Sequence, residues 1–226
     1  SILATWEIGA VYQPLNPVYR KLECSALIGA VEPKAVISSN QSKEFDHPQL
    51  LDEVIDSLGI SPHKIVVGSP RATWLPFQDL NGSHPEFSRN SLDPAIFGTT
   101  SGTTGTPKIY IHIQATQIFE AKILSEGIDL TSEDVMLAAA PITHRGALMV
   151  GLMTSLISGS RLVMGDGRHT AKLAELIERH KVTSFMGIPT IVSDLLHHHH
   201  NGSFDASSLR VVIASGAPVT DDLLKR

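Results

Sequence analysis

The chain has 226 residues, of which 42% are hydrophobic and 18% are charged, and its formal net charge is −5 with histidines neutral. This composition indicates a globular chain of one to two domains and excludes a disordered one. No Lys/Arg cluster stands out, which argues against nucleic acid as a partner, and no apolar stretch reaches the roughly 20 residues of a membrane-spanning segment. A single cysteine, Cys24, and the lack of a signal-peptide pattern lead us to expect an intracellular, cytoplasmic location, with the organelle open.

Residues 1–93 are predicted to form a first α/β part. Apolar patterns predict a helix ending at Gly9, a strand over 10–15, a helix over 18–31, a strand over 35–38, a helix over 50–58 and a strand over 64–68. The order of the strand over 10–15, a helix and the strand over 35–38 predicts a βαβ unit with parallel strands. Residues 69–93, rich in Pro, Asn, Ser and Gly, read as a surface connection.

Residues 94–113 are predicted to form a strand, a loop and a second strand. From Gly98 to Thr106 every residue is Gly, Ser or Thr, and Pro107 and Lys108 close the run. Small residues let backbone N–H groups approach an anion, hydroxyls add donors, and the lysine adds a full charge. The apolar flanks and the proline favour a defined polyphosphate loop over a flexible linker. Neither a Walker A motif nor a dinucleotide fingerprint is present.

The run Thr-Ser-Gly-Thr-Thr-Gly-Thr-Pro-Lys at 100–108 resembles the signature phosphate loop of the adenylate-forming, or AMP-binding, enzymes. This family includes acyl- and aryl-CoA synthetases. The resemblance implies an α/β fold of doubly wound, mostly parallel sheets with flanking helices, in which residues 1–226 form an incomplete large N-terminal domain without the mobile C-terminal domain. One residue departs from the family pattern, because Ile109 stands where the family usually has glycine.

The resemblance also implies chemistry and residues. Members activate a carboxylic acid with ATP and Mg²⁺ to an acyl-adenylate, and many then transfer the acyl group to a thiol, with CoA as the expected acceptor here or a carrier protein as the alternative. Lys108 would act at the edge of the loop as the catalytic cation, and Thr103 is a candidate magnesium ligand. The residues expected to cradle the phosphates are Thr100, Ser101, Gly102, Thr103, Thr104 and Gly105.

Residues 114–226 are predicted to form a second α/β part. Helices are expected over 114–127, 146–158, 170–180 and 189–196, and strands over 135–140, 161–164, 182–186 and 209–214. This alternation has the spacing of a doubly wound sheet. Four consecutive histidines, 197–200, precede an Asn-Gly turn, and we interpret them as a solvated loop rather than a metal site.

Two segments follow predicted strands, where open α/β sheets place ligand contacts. His144 lies in a Pro-x-x-His passage that looks like the segment lining the family's acyl pocket, which implies a contact or gate rather than a general base. Gly216, Ala217 and Pro218 resemble the family's Gly-Gly-Ala-Pro stretch, which borders both the acyl group and the adenine. Beside His144 stand Thr143 and Arg145 and no acid, so a substrate without an amino group is favoured, because a buried ammonium needs a counter-charge.

The sequence thus predicts an acid–thiol ligase that activates a carboxylic acid through its adenylate. The later family segments Tyr-Gly-x-Thr-Glu and the C-terminal lysine are not found in residues 1–226, and we expect these residues alone to be inactive. The alternative is a non-catalytic nucleotide- or acyl-binding module, which Ile109 supports.

Overall fold

The computed structural model describes residues 2–40, 45–82, 90–100 and 108–225. Two compact units divide the chain, Ser1–His112 and Ile113–Arg226. Each unit has its own buried apolar cluster. Within the described ranges, the helices are all too short or too polar to cross a membrane.

The first unit contains a three-stranded parallel sheet in the order β1-β2-β3 and a separate strand pair, β4 and β5. Its elements are α1 (Ile2–Glu7), α2 (Lys21–Val31), β1 (Ala35–Ser39), α3 (His47–Leu58), β2 (His63–Val67), β3 (Leu75–Pro76), a 3-10 turn (Phe77–Asp79), β4 (Pro94–Thr99) and β5 (Ile109–Ile113). The last residue of β5, Ile113, opens the second unit.

Helix α3 shows why the chain folds locally as it does. The Asp46 carboxylate accepts a hydrogen bond of 2.9 Å from the Gln49 N–H, and Pro48 occupies the first turn, where no N–H is needed. Gly59 ends the helix with a φ of 65°, a left-handed conformation that glycine adopts without strain. The buried face of α3 then packs with α2 and the sheet, where burial raises the pKa of the Cys24 thiol to about 11 and leaves it inert core.

The predicted strand over 10–15 is wrong. Of this segment, Tyr12 alone pairs with a strand, through an isolated parallel bridge to Ile96 of β4. Pro14 has no N–H with which to extend the ladder past that bridge. The predicted βαβ unit is therefore displaced along the chain: β1 pairs with β2 across α3.

The second unit is a four-stranded parallel sheet in the order β7-β6-β8-β9 with helices around it. Its elements are α4 (Gln114–Gly127), β6 (Val135–Ala138), a π-helix (Gly146–Met153), α5 (Thr154–Ser158), β7 (Arg161–Met164), α6 (Thr170–His180), β8 (Ser184–Gly187), α7 (Pro189–His200), β9 (Val211–Ala214) and α8 (Asp221–Lys225). The predicted α/β class with parallel sheets and flanking helices is confirmed.

Two predictions in this unit need correction. The segment after Gly146 is helical as predicted, but its first eight residues are a π-helix. The four histidines 197–200 are the last turns of α7 and not a loop, because the helix continues until Asn201. Among the described residues, no group of three or more His, Cys, Asp or Glu side chains is placed to hold a metal ion.

Candidate functional site

The ends of β4 and β5 are held together where the predicted phosphate loop begins and finishes. The N–H of Thr100 donates to the carbonyl of Lys108 at 3.0 Å. Both residues are exposed, so the hydroxyl and the ammonium are available to a ligand. The loop residues predicted to complete the phosphate cradle, Ser101, Gly102, Thr103, Thr104 and Gly105, lie outside the described residues, and their roles stay a prediction.

Two tyrosines support these strand ends, and neither could be identified from the sequence pattern. The ring of Tyr110 on β5 lies directly over Gly98 on β4, where a Cβ atom would overlap the phenol. The hydroxyl of Tyr19, from the loop before α2, lies 3.3 Å from the Thr99 hydroxyl. The contact between Tyr110 and Gly98 depends on the register of β4 against β5, which the sequence does not show. The contact between Tyr19 and Thr99 joins residues 80 positions apart, which no local pattern predicts.

His144 lies beyond the carboxyl end of β6 and is exposed. Its backbone N–H donates to the Pro141 carbonyl at 2.8 Å, and its ring Nδ1 accepts the Gly146 N–H at 3.1 Å. In the neutral ring Nδ1 is thus the acceptor and Nε2 carries the proton. The imidazole is fixed at the start of the π-helix, an orientation suited to a contact rather than to proton abstraction by Nδ1.

The segment Gly216, Ala217 and Pro218 follows β9 at the same carboxyl edge of the sheet and is exposed. Gly216 has a φ of 88°, so it occupies a conformation that favours glycine. The Ser215 N–H donates to the Gly187 carbonyl at 3.1 Å, which ties this segment to the end of β8. Because β8 separates β6 from β9, the sheet places His144 and this segment on one edge with one strand between them.

Met186 of β8 and the His144 ring both lie next to Gly146, and the sequence pattern does not predict the position of Met186. A Cβ atom on Gly146 would lie 3.0 Å from the Met186 Cε and 3.3 Å from the His144 Nδ1. The absence of a side chain at Gly146 therefore lets the methionine and the imidazole both approach its backbone. Nearby, the Thr143 hydroxyl is buried and has no hydrogen-bond partner among the residues that the structure describes.

Residues of α4 and the π-helix line an open, mainly apolar groove of about 490 Å³. Phe119, Ile123 and Met149 contribute apolar walls. At its rim Arg145 donates to Glu120 at 2.6 Å, with the arginine side chain 48% exposed. Arg145 is therefore an ion-paired surface residue and not a free cation.

The chain combines parallel α/β sheets, small polar segments after the strands, and a glycine- and hydroxyl-rich loop between two further strands. This combination is typical of a class of nucleotide- or acyl-binding proteins. The AMP-binding enzyme family model matches residues 1–226, and the chain belongs to this family.

Curated relatives resemble the chain over almost its whole length. The acyl-CoA ligase sidI of Beauveria bassiana is 26% identical over 98% of this chain and 40% of its own length. The 4-coumarate–CoA ligase 3 of Arabidopsis thaliana is 28% identical over 99% of this chain and 40% of its own length. The chain thus spans less than half the length of these relatives.

Solved structures share the fold. Apo MbtA of Mycobacterium smegmatis superposes with a TM-score of 0.85 at 23% identity, covering 99% of this chain and 41% of that one. MatB of Rhodopseudomonas palustris with ATP bound superposes with a TM-score of 0.78 at 25% identity, covering 99% of this chain and 43% of that one.

Proposed function

We propose that this chain is the ATP- and acyl-binding part of an acid–thiol ligase. The observation that carries the proposal is the loop at 100–108, whose ends Thr100 and Lys108 are paired at the tips of β4 and β5. Membership of the AMP-binding enzyme family and the named CoA ligases among the relatives support it. The ATP in the related MatB structure supports ATP as the nucleotide.

In the proposed reaction the substrate carboxylate attacks the α-phosphorus of ATP in line, and pyrophosphate leaves with the electron pair of the broken P–O bond. The thiol of CoA or a carrier protein then loses its proton to solvent and attacks the acyl carbonyl, and AMP leaves as the acyl C–O bond breaks. Lys108 offsets phosphate charge, and the loop amides and hydroxyls orient the phosphates, so the barrier falls through positioning and charge neutralisation. Mg²⁺ would neutralise further phosphate charge, with the Thr103 hydroxyl as a candidate ligand.

The acyl group is assigned to the carboxyl edge of the four-stranded sheet. His144, Gly216 and Ala217 would contact it, and Gly216, Ala217 and Pro218 would border the adenine. No acidic residue is adjacent in sequence to Thr143, His144 and Arg145, and the Glu120 carboxylate that approaches this segment is already paired with Arg145. The proposed substrate is therefore a small carboxylic acid without an amino group.

Titration of the chain with Mg·ATP by calorimetry tests the nucleotide assignment. Lys108→Ala should weaken ATP binding about ten-fold or more, because a charge-assisted hydrogen bond is worth about 1.5–3 kcal/mol. Lys122→Ala is the matched control: this lysine is 64% exposed on α4 and pairs with Glu126. Equal ATP affinity in both variants would contradict the assignment.

A non-catalytic nucleotide- or acyl-binding module is the second candidate, and Ile109 favours it because a half-buried isoleucine occupies the position after the lysine. Pyrophosphate exchange into ATP with a panel of carboxylic acids separates the two. We expect no exchange from residues 1–226 alone. Exchange appearing in a chain extended to the length of the relatives would support the ligase, and ATP binding without exchange in that longer chain would support the module.

A further inference from the structure

We infer that Tyr19 and Tyr110 are positioning residues for the phosphate loop: they fix the two strands that carry Thr100 and Lys108 without touching the nucleotide. The inference rests on the proposed function, since the loop is taken as the ATP site. Both tyrosines act on the described residues immediately before the loop, Gly98 and Thr99.

The contact between Tyr110 and Gly98 fixes β5 against β4. Gly98 is buried, and a Cβ atom there would overlap the Cζ, Cε2 and hydroxyl oxygen of Tyr110. The ring is itself held edge-on by His112, with centroids 5.0 Å apart and planes at 89°. The aromatic ring thus fills the space above a residue without a side chain, and sliding β5 by one residue would turn the ring to the other face of the strand pair.

The contact between Tyr19 and Thr99 fixes β4 from the other direction. The two hydroxyls lie 3.3 Å apart in a partly buried position. Tyr19 is anchored at its own backbone, whose N–H donates to the Asn16 carbonyl at 2.9 Å, and its ring packs on the core cluster of the first unit. The hydroxyl therefore links a fixed core residue to the residue that precedes Thr100.

Together these contacts set the positions of Thr100 and Lys108. With β4 held by Tyr19 and β5 held by Tyr110, the Thr100 N–H meets the Lys108 carbonyl at 3.0 Å, which sets the separation of the loop ends. Phosphate-binding residues that are already held in place, as Thr100 and Lys108 are, lose less conformational entropy on binding ATP than residues that move. Loosening either tyrosine should therefore weaken ATP binding through Thr100 and Lys108.

The test compares Tyr110→Ala and Tyr19→Phe with a control, Ile111→Ala. Ile111 is the neighbour of Tyr110 on β5, and its side chain is 60% exposed. We expect ATP affinity, measured by calorimetry with Mg²⁺, to fall about ten-fold in Tyr110→Ala and about three-fold in Tyr19→Phe, and to change less than two-fold in the control. Amide hydrogen exchange should show faster exchange at Thr100 and unchanged exchange at buried Val66 of β2, whereas general destabilisation would accelerate both.

A second pair of variants tests the steric contact directly. Gly98→Ala should weaken ATP binding because its methyl group displaces the Tyr110 ring. The double variant with Tyr110→Ala should lose less affinity than the two single losses combined, since the methyl then has room. Two losses that simply add would overturn the steric contact. Faster exchange at Thr100 with unchanged ATP affinity would overturn the positioning role and leave the proposed function standing. Absence of ATP binding in the unsubstituted chain would instead overturn the proposed function. Unchanged amide exchange at Thr100 in the tyrosine variants would overturn the inference that Tyr19 and Tyr110 hold the strand ends.

Discussion

Asp134, in the second unit, accepts hydrogen bonds from three different residues. It precedes β6, and its side chain is 10% exposed. It accepts the Thr183 hydroxyl at 2.6 Å, the Thr131 N–H at 2.9 Å and the Arg210 guanidinium at 3.1 Å. Burial by itself would raise the pKa of Asp134, but these hydrogen bonds outweigh it and hold the pKa at about 2.

We therefore predict that Asp134→Asn lowers the free energy of unfolding by about 2 kcal/mol at pH 7, since a pKa shift of one unit corresponds to about 1.4 kcal/mol. The folded pKa lies below the unfolded value of about 3.9, so the contribution is complete above about pH 5 and is lost as the pH falls toward 2. Urea unfolding at pH 7 and pH 3 measures both effects. Glu133→Gln, at the exposed neighbour, should change stability by less than about 0.5 kcal/mol at either pH. A loss in Asp134→Asn that is the same at both pH values would contradict this account.

At the scale of single elements, the sequence pattern predicts the bounds of several elements correctly, even of α4, whose buried residues include the polar Gln117 and Ser125. Helix α4, strand β7 and helix α6 have the predicted bounds. The strand over 10–15 was predicted from an apolar run alone, and such a run does not reveal which partner strand is available. The four histidines were misread because their polarity resembles that of a loop, whereas the helix they end is stabilised by the residues before them.

For the candidate site, the sequence predicts individual residues but not which of them are neighbours in space. The composition of the loop and the family resemblance pointed to Thr100 and Lys108, and the strand ends pointed to His144 and Gly216. Tyr110 and Met186 could not be predicted from the sequence. The position of Tyr110 over Gly98 depends on the register of β4 against β5, and Met186 reaches Gly146 only because the two are close in space. The sequence shows which residues follow a strand, but not which side chains from adjacent strands meet there.

The π-helix is the element that sequence periodicity could not distinguish from an α-helix. Gly151 faces β6, and a Cβ atom on it would lie 2.8 Å from the Cβ of Ala138. The glycine allows the helix to pack closely on the sheet immediately after His144. Wide helical turns of this kind recur at functional sites.

We predict that Gly151→Ala destabilises the chain by about 1–3 kcal/mol, because overpacking a close contact outweighs the better helix propensity of alanine. Ala138→Gly removes the opposing methyl group, so the double variant should regain part of the loss. Thermal and urea unfolding followed by circular dichroism provide the measurement. Gly127→Ala, made at the end of α4 where a Cβ atom meets nothing within 4 Å, is the control and should be neutral or slightly stabilising. A Gly151→Ala variant as stable as that control would show that the packing is not tight.

At the scale of the whole molecule, the two buried clusters share no residue. One contains Ile55 of α3, which is 4% exposed, and the other contains Ile177 of α6, which is fully buried. Substitutions that share no partner usually add, within about 0.5 kcal/mol. The division of the chain into two units therefore has an energetic consequence that can be measured.

We predict that Ile55→Ala and Ile177→Ala each lower the free energy of unfolding of the unit that contains them by about 2–5 kcal/mol, the usual range for creating such a cavity in a packed core. In the double variant the two losses should add, because neither cavity removes a contact that the other residue uses. Urea unfolding followed by the fluorescence of Trp6 and Trp74, both buried in the first unit, reports that unit, and circular dichroism reports the whole chain. Ile55→Ala should shift the fluorescence transition, and Ile177→Ala should shift the circular dichroism transition more than the fluorescence one. A coupling energy above about 1 kcal/mol would mean that the two clusters act as one core.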